Sequence, residues 1–375
     1  MSWNYVQPVE IIFETGGIKK LDDYLSRYGY SCGVLICDPF FASNGFADKI
    51  AEYSGDRIKE VYSEVTPNPQ VDQVDKACEM IKRNDANFVI AFGGGSAIDC
   101  AKLGCALAVT DSTAREIHTG AKALTGGSVP LIAVPTTAGT GSEVTSVSVL
   151  SDPERHVKAP VGHASLFPKI ALIDPELTLS VPAQVTASTG LDVLSHALEG
   201  FWSKNHQPIC DAVALSAARL VFENLFAAYE DGSNLLAREK MCEASVMAGL
   251  AFCMPKTAAS HAISFPLTNV YGMPHGEACA FTLDSLCAIN AEVEDGRLNK
   301  FAVELGFENA KAMGDEITQL KKAMGMKTTL REAGIPSDKL FELVQLCHHP
   351  NLDNNPVALS DDDLMLLFKS KTGEV

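Results

Sequence analysis

The 375-residue sequence predicts an α/β N-terminal domain built on a parallel sheet, followed by an all-α C-terminal domain. Three observations carry this. In the first half, short and nearly continuous apolar runs alternate with helix-length segments, as a parallel sheet covered on both faces requires. From about Pro182 onward strand signals almost vanish and helix formers take over. The length is more than twice the roughly 150 residues of one domain, and 46% hydrophobic against 21% charged residues is ordinary globular composition.

Taken in order, Val9-Glu10-Ile11-Ile12-Phe13 reads as a strand that ends at Gly16-Gly17. Gly33-Val34-Leu35-Ile36-Cys37 is a second apolar run, closed by Asp38-Pro39. Asn87 to Phe92 is a third and Leu131 to Val134 a fourth, with a helical pattern over Val71–Arg83 between the second and the third. After Asp174-Pro175 the pattern becomes helical over 213–229, 237–252, 310–333 and 360–369. Such a shift marks a domain boundary near residue 180, giving domains 1–180 and 181–375. The acidic run Asp361-Asp362-Asp363 follows Ser360, a good N-cap, and reads as a charged helix start.

Charge narrows the function. With 30 Lys+Arg against 47 Asp+Glu the net charge is −17, which argues against nucleic-acid or anionic-membrane surfaces as partners. No stretch reaches about 18 apolar residues, so no membrane span is expected. Met1-Ser2-Trp3-Asn4-Tyr5-Val6 has neither a basic nor an apolar leader region. The 11 cysteines are scattered, without a Cys-x-x-Cys pair, which fits a reducing, cytoplasmic setting.

The third apolar run leads into Gly93-Gly94-Gly95-Ser96 and then a helical segment. Glycines at a strand's carboxyl end let backbone approach a ligand, and the helix that follows presents N–H donors and a positive dipole end to phosphate. The alternative is a tight βα turn that binds nothing. A second loop, Val134-Pro135-Thr136-Thr137-Ala138-Gly139-Thr140-Gly141-Ser142-Glu143, follows the fourth run at the equivalent end of the sheet. Two such loops favour a dinucleotide. Asp38, at the end of the second run, would accept from a ribose 2′-hydroxyl and repel a 2′-phosphate, which favours NAD over NADP; otherwise it is a plain turn residue.

In the helical half, Asp192 and His196 stand four apart and share one helix face. His261 and His275 lie in small or apolar surroundings further on. One oxygen and three nitrogens form a cage suited to Fe(II), Zn(II) or Mn(II). Each residue alone also reads as structural. His348-His349 reads as a loop feature without a metal role.

These motifs resemble the iron-containing (group III, metal-dependent) alcohol dehydrogenases along nearly the whole chain. The matches are Gly93-Gly94-Gly95-Ser96, the loop from Pro135 to Glu143, Asp192-x-x-x-His196-Ala197-x-Glu199 and Pro274-His275-Gly276. Thr66-Pro67-Asn68-Pro69, Asp174-Pro175 and Asn355-Pro356 add to them. The resemblance implies a dinucleotide-binding N-terminal domain, a metal-binding helical C-terminal domain, NAD(H) and one divalent metal. It puts Asp192, His196, His261 and His275 on the ligand positions. Gly94, Gly95, Ser96, Asp99, Thr136, Thr137, Thr140 and Lys158 fall on cofactor positions, and Asp38 on the position linked to NAD. It also implies a homodimer or higher homo-oligomer, often formed through the N-terminal strand.

Two departures matter. Many relatives carry a further histidine four residues after the third ligand, where this chain has Phe265. The segment Lys256-Thr257 followed by His261-Ala262-Ile263-Ser264-Phe265-Pro266 looks like the branch that reduces sulfoacetaldehyde or phosphonoacetaldehyde. The expected reaction is therefore NADH-dependent reduction of a short aldehyde with an anionic headgroup, such as sulfoacetaldehyde to isethionate. Lys256 is the candidate anchor, with Thr257, Ser264 and Phe265 near it; the bland reading of Lys256 is a solvated lysine at a helix start. The alternative is a general short-chain alcohol or diol dehydrogenase of the 1,3-propanediol, lactaldehyde or butanol type. Dehydroquinate synthase, which shares the two-domain metal fold, needs a basic cluster that this chain lacks, and four filled ligand positions argue against a binding protein without catalysis.

Overall fold

The computed structural model describes residues 2–155, 157–293 and 295–373. Eight strands are present among them: β1 (Glu10–Phe13), β2 (Gly33–Cys37), β3 (Ile58–Tyr62), β4 (Phe88–Gly93), β5 (Leu131–Pro135), β6 (Val147–Asp152), β7 (Val157–Gly162) and β8 (Ile170–Ile173). Six form one sheet in the order β1-β8-β5-β4-β2-β3, every pair parallel, while β6 and β7 make a separate antiparallel hairpin. Along β4, Val89 and Ala91 join one core with the Val71–Arg83 and Gly95–Leu107 helices. Phe88, Ile90 and Phe92 join another on the opposite face with Leu21, Leu25 and Ile50. This is the two-sided burial that made the strands continuous apolar runs.

The chain divides into two compact units. The sheet unit is Gln7–Thr137 with Gly141–Leu179. The helical unit is Ser180–Val375 with Met1–Val6 and Ala138–Thr140. At the centre of the helical unit runs the Ala183–Trp202 helix, buried on every side over most of its length. A helix that is apolar all round is a core helix. Leu191, Leu194 and Leu198 are fully buried, each contributing about 1.5–3 kcal/mol.

Several elements differ from the sequence expectation. Strands β3, β6, β7 and β8 were not legible as strands, and the helix expected over 310–333 runs only Ala310–Ala323. It stops at Met324 because Gly325 turns the backbone to φ +67°, and the chain then doubles back so that Leu330 N donates to Lys371 O at 2.7 Å. The acidic run does open a helix: Ser360 and Asp363 form a reciprocal capping box. His349 caps the short Pro350–Asp353 helix by accepting from Asn351 N at 3.2 Å, a loop role as expected.

Candidate active site

In the sheet unit, β2, β4 and β5 are neighbours, so their carboxyl ends bring Asp38, Gly93-Gly94 and Thr136 side by side. The chain continues from β2 to β3 on one side and returns through β4 on the other, making the β2/β4 edge the switch point where α/β sheets bind ligands. Gly93 has φ +151°, and a Cβ there would meet Ala97 Cβ at 2.9 Å, so only glycine makes this turn. Gly94 caps the Gly95–Leu107 helix without any side-chain hydrogen bond and no acidic residue stands in the first turn. The opening N–H groups therefore face outward for an anion.

Asp38 caps its own turn, accepting from Phe40 N at 3.0 Å, and burial raises its carboxyl above the usual range. Asp99 is held within the unit: Ser142 Oγ donates to Oδ1 at 2.5 Å and Val149 N to Oδ2 at 2.8 Å. Lys158 Nζ donates to Asn68 Oδ1 at 2.7 Å. Thr136 is buried and its N–H donates to Gly93 O, tying the two loops, while Thr137 Oγ1 lies 3.4 Å from where a Gly94 Cβ would sit. Gly139 falls in the helical unit, where its N–H donates to Ser245 Oγ at 2.9 Å; Thr140 adjoins it. Gly95 and Ser96 open the helix itself.

Glu143, at the end of the second loop, is 3% exposed, and burial pushes its carboxyl up to about 7. A native value above the ordinary 4.5 means that the folded chain keeps a proton that the unfolded chain loses. Stability therefore falls as pH rises from about 4.5 to 7 and is level above that. Glu143→Gln removes this effect. Its unfolding free energy should exceed that of wild type at pH 8, by roughly 3 kcal/mol at most, and match it near pH 4.5. A difference that does not grow between those pH values would show that burial is not what shifts this group.

The second constellation lies wholly in the helical unit. Along the Ala183–Trp202 helix Ser195 Oγ donates to Leu191 O, Thr186 Oγ1 accepts from Arg238, and Ser188 Oγ accepts from Glu277 N. Besides Trp202 Nε1 at the helix's end, Asp192 Oδ1 and His196 Nδ1 are the buried side-chain atoms of this helix without a hydrogen-bond partner. Leaving such groups unpaired costs about 1–3 kcal/mol each, so this pair is arranged for something other than a protein partner.

What they face is His261 and His275. His261 Nε2 lies 3.0 Å from His196 Nε2 and 3.6 Å from Asp192 Oδ1; the His275 ring stands edge-on to His261, centroids 5.6 Å apart. Phe252 stacks on the His196 ring at 4.1 Å and fixes its plane. Asp192, His261, His275 and Cys279 each offer a ligand atom within 4.8 Å of the others, the one such group of donors found among the described residues. Burial lowers the His196 pKa to about 3, so its ring is neutral with a lone pair to give. Burial also disfavours charge on His261, but Cys279 and Glu199 outweigh it and raise that ring well above the usual value. A neutral imidazole, a carboxylate oxygen without a partner and a locally negative field suit a divalent cation. The residues fit a metal.

Glu199 explains how His261 is aimed. It follows Asp192 by seven residues on the same buried face and is 0% exposed. Its Oε1 accepts from Ser260 N at 2.6 Å and His261 N at 3.3 Å, capping the Ala259–Asn269 helix from outside. Ala258, the residue at the cap position, makes no side-chain cap bond of its own. Its Oε2 takes the short bond from His261 Nδ1, so Nε2 is the nitrogen turned toward Asp192 and His196, where a cation would displace its proton. His275 opens the His275–Phe281 helix, and Gly276 lets that helix close on its neighbour: a Cβ there would stand 2.0 Å from Ser188 O and 2.9 Å from Asp192 Cβ.

The residues proposed around the substrate are differently disposed. Lys256 lies between two helices at φ +69°, not at a helix start, exposed, with Nζ donating to Cys253 O at 2.9 Å. Thr257 Oγ1 accepts from Asn351 Nδ2 at 2.7 Å. Ser264 is fully buried and its hydroxyl donates to His261 O at 2.8 Å, so it has no proton for an anionic headgroup. Phe265 packs on His349, ring centroids 4.6 Å apart. Residue reading alone gave no role to Glu199, which aims His261, or to Cys279, which joins the donor group; their signals were a carboxylate on a buried helix and a thiol one turn after His275.

The family description "Iron-containing alcohol dehydrogenase" matches residues 8–175, and its C-terminal counterpart matches 186–372. The chain belongs to the iron-containing alcohol dehydrogenase family. It is an enzyme, a metal-containing, NAD-dependent alcohol dehydrogenase. Sulfoacetaldehyde reductase from Bifidobacterium kashiwanohense, solved in complex with NAD+, is 46% identical with a TM-score of 0.97, each chain covering 100% of the other. Alcohol dehydrogenase 4 of Saccharomyces cerevisiae is 30% identical over 97% of both chains. A 1-propanol dehydrogenase of Salmonella typhimurium is 38% identical over 74% of this chain and 72% of its own. No helix among the described residues is long and apolar enough to cross a membrane.

Proposed function

We propose that the protein reduces a short aldehyde bearing an anionic headgroup, sulfoacetaldehyde foremost, to its alcohol with NADH. The reaction rests on one observation: Asp192, His261 and His275 offer donor atoms within 4.8 Å of one another, His196 Nε2 stands 3.0 Å from His261 Nε2, and Glu199 backs His261. These four side chains would hold the divalent ion, Fe(II) first and Mn(II) or Zn(II) as alternatives. When bound, the ion lends Lewis acidity to a carbonyl oxygen while the dinucleotide supplies the hydride.

The chain's own residues do the rest. Glu199 keeps the His261 lone pair pointing at the ion. Phe265 offers an apolar ring where an imidazole relay would stand, so the proton for the product alkoxide comes from water or a cofactor ribose hydroxyl. In the sheet unit, the Gly94–Ser96 turn would seat the pyrophosphate, with the Thr136 and Thr137 hydroxyls beside it and Asp38 selecting NAD. Asp99 would act by holding its helix to β6, and Lys158 from the hairpin.

The choice of substrate draws support from the likeness to a sulfoacetaldehyde reductase over the full length. It also draws on Lys256, whose ammonium has three donors and directs one to Cys253 O. Kinetics on sulfoacetaldehyde, phosphonoacetaldehyde and propanal test it. We expect the sulfonate to give the highest kcat/KM. Lys256→Ala should lower that value by roughly ten- to a hundredfold with propanal unchanged, the worth of a charge-assisted contact. Equal losses on both substrates, or none, would remove Lys256 from recognition, and a preference for propanal would favour the general alcohol dehydrogenase reading.

A further inference from the structure

We propose that Cys279 is a fifth donor to the ion, binding through its sulfur as a thiolate and turning the site toward thiophilic divalent ions. This rests on the reading of Asp192, His261 and His275 as ligands. Cys279 follows His275 by four residues on the same helix, so its side chain lies one turn along the same face. It is fully buried, and its sulfur belongs to the set of ligand atoms that lie within 4.8 Å of one another.

The sulfur stands 3.7 Å from His275 Nε2 and 3.9 Å from Nδ1. Near-equal distances to both nitrogens place it beside the His275 ring. Its other polar neighbours are His261, itself one of the donor group, and Ser264. An independent observation points to that donor group as well: Asp192 Oδ1, 3% exposed as a residue, is aimed there without a hydrogen-bond partner.

Coordination breaks the S–H bond, forms a sulfur–metal bond and releases the proton to solvent, with no change of oxidation state. Imidazoles and a carboxylate alone accept Fe(II), Mn(II) and Zn(II); added thiolate favours Zn(II), Co(II) and Cd(II) over Mn(II). The remaining ten cysteines join no comparable donor group among the described residues, so a thiolate signal from a bound ion is assignable to this one.

The test is the absorption spectrum of the full-length protein loaded with Co(II) in place of its resident ion. Wild type should show visible d–d bands together with a near-ultraviolet thiolate-to-cobalt charge-transfer band. Cys279→Ser should keep the d–d bands and lose the charge-transfer band. Wild-type d–d bands without charge transfer, or charge transfer that survives in Cys279→Ser, would overturn the proposal while leaving the four-residue site standing. Absence of any d–d band in wild type would overturn both. The wild-type spectrum decides even should the variant fold poorly.

Discussion

His275→Ala is expected to abolish retention of the divalent ion and to lower kcat/KM by about a thousandfold or more. The ion's Lewis acidity is worth several kcal/mol in the transition state, and each 1.36 kcal/mol is a factor of ten in rate. His275 is the ligand whose loss reports most cleanly on chemistry. It is only half-buried and stands at the first position of its helix, where no intrahelical N–H bond depends on it. The closeness of that helix to its neighbour depends on Gly276, which the substitution leaves alone. The unfolding midpoint of ion-free protein should therefore stay near wild type while metal content and turnover collapse. Metal analysis after gel filtration, paired with NADH oxidation, reads both. A variant that keeps one ion per chain and full turnover would sink the assignment.

Three of the four strands legible in the sequence are buried on both faces; the fourth, β1, is an edge strand marked by its Ile11-Ile12-Phe13 run before Gly16-Gly17. β2, β4 and β5 lie inside the sheet, and each is a run of apolar residues with no exposed member. β3, at one edge, was missed because Ile58-Lys59-Glu60-Val61-Tyr62 alternates exposure and carries two charges. β6 and β7 were missed because their hairpin stands outside the sheet and lacks any continuous apolar run. β8 is fully buried, but its four residues sit between Pro168-Lys169 and Asp174-Pro175, which read as loop punctuation.

The ion site was legible for a related reason. Asp192 and His196 are ionisable groups on a helix that is buried over most of its length, and such groups need a partner. Glu199 sits on the same face, yet its role could not be read from spacing. That role depends on His261 lying against it, sixty-two residues away in sequence. Lys256 was singled out by its proximity in sequence to His261, but its left-handed turn and the bond from its ammonium to Cys253 O on the preceding helix had no sequence signal.

The dependence of His261 on Glu199 yields the second large effect, and the choice of substitution separates two roles. Glu199→Ala should destabilise the fold, because the buried N–H groups of Ser260 and His261 lose their acceptor at about 1–3 kcal/mol each. Glu199→Gln keeps an oxygen for those groups and nearly the same volume, so the fold should largely survive. The amide's NH2, however, can only donate where the carboxylate accepted. His261 Nδ1 must then become the acceptor, and the ring's proton moves to Nε2, the nitrogen that faces His196 and Asp192. A protonated nitrogen cannot bind a cation. Metal affinity, measured by equilibrium dialysis, should fall by roughly ten- to a hundredfold, the usual cost of losing a carboxylate behind a ligating histidine. The weakening should appear in Glu199→Gln with little change in unfolding midpoint. Were Glu199→Gln to bind the ion as tightly as wild type, Glu199 would be a helix cap alone, and the aim of His261 would have to come from its packing.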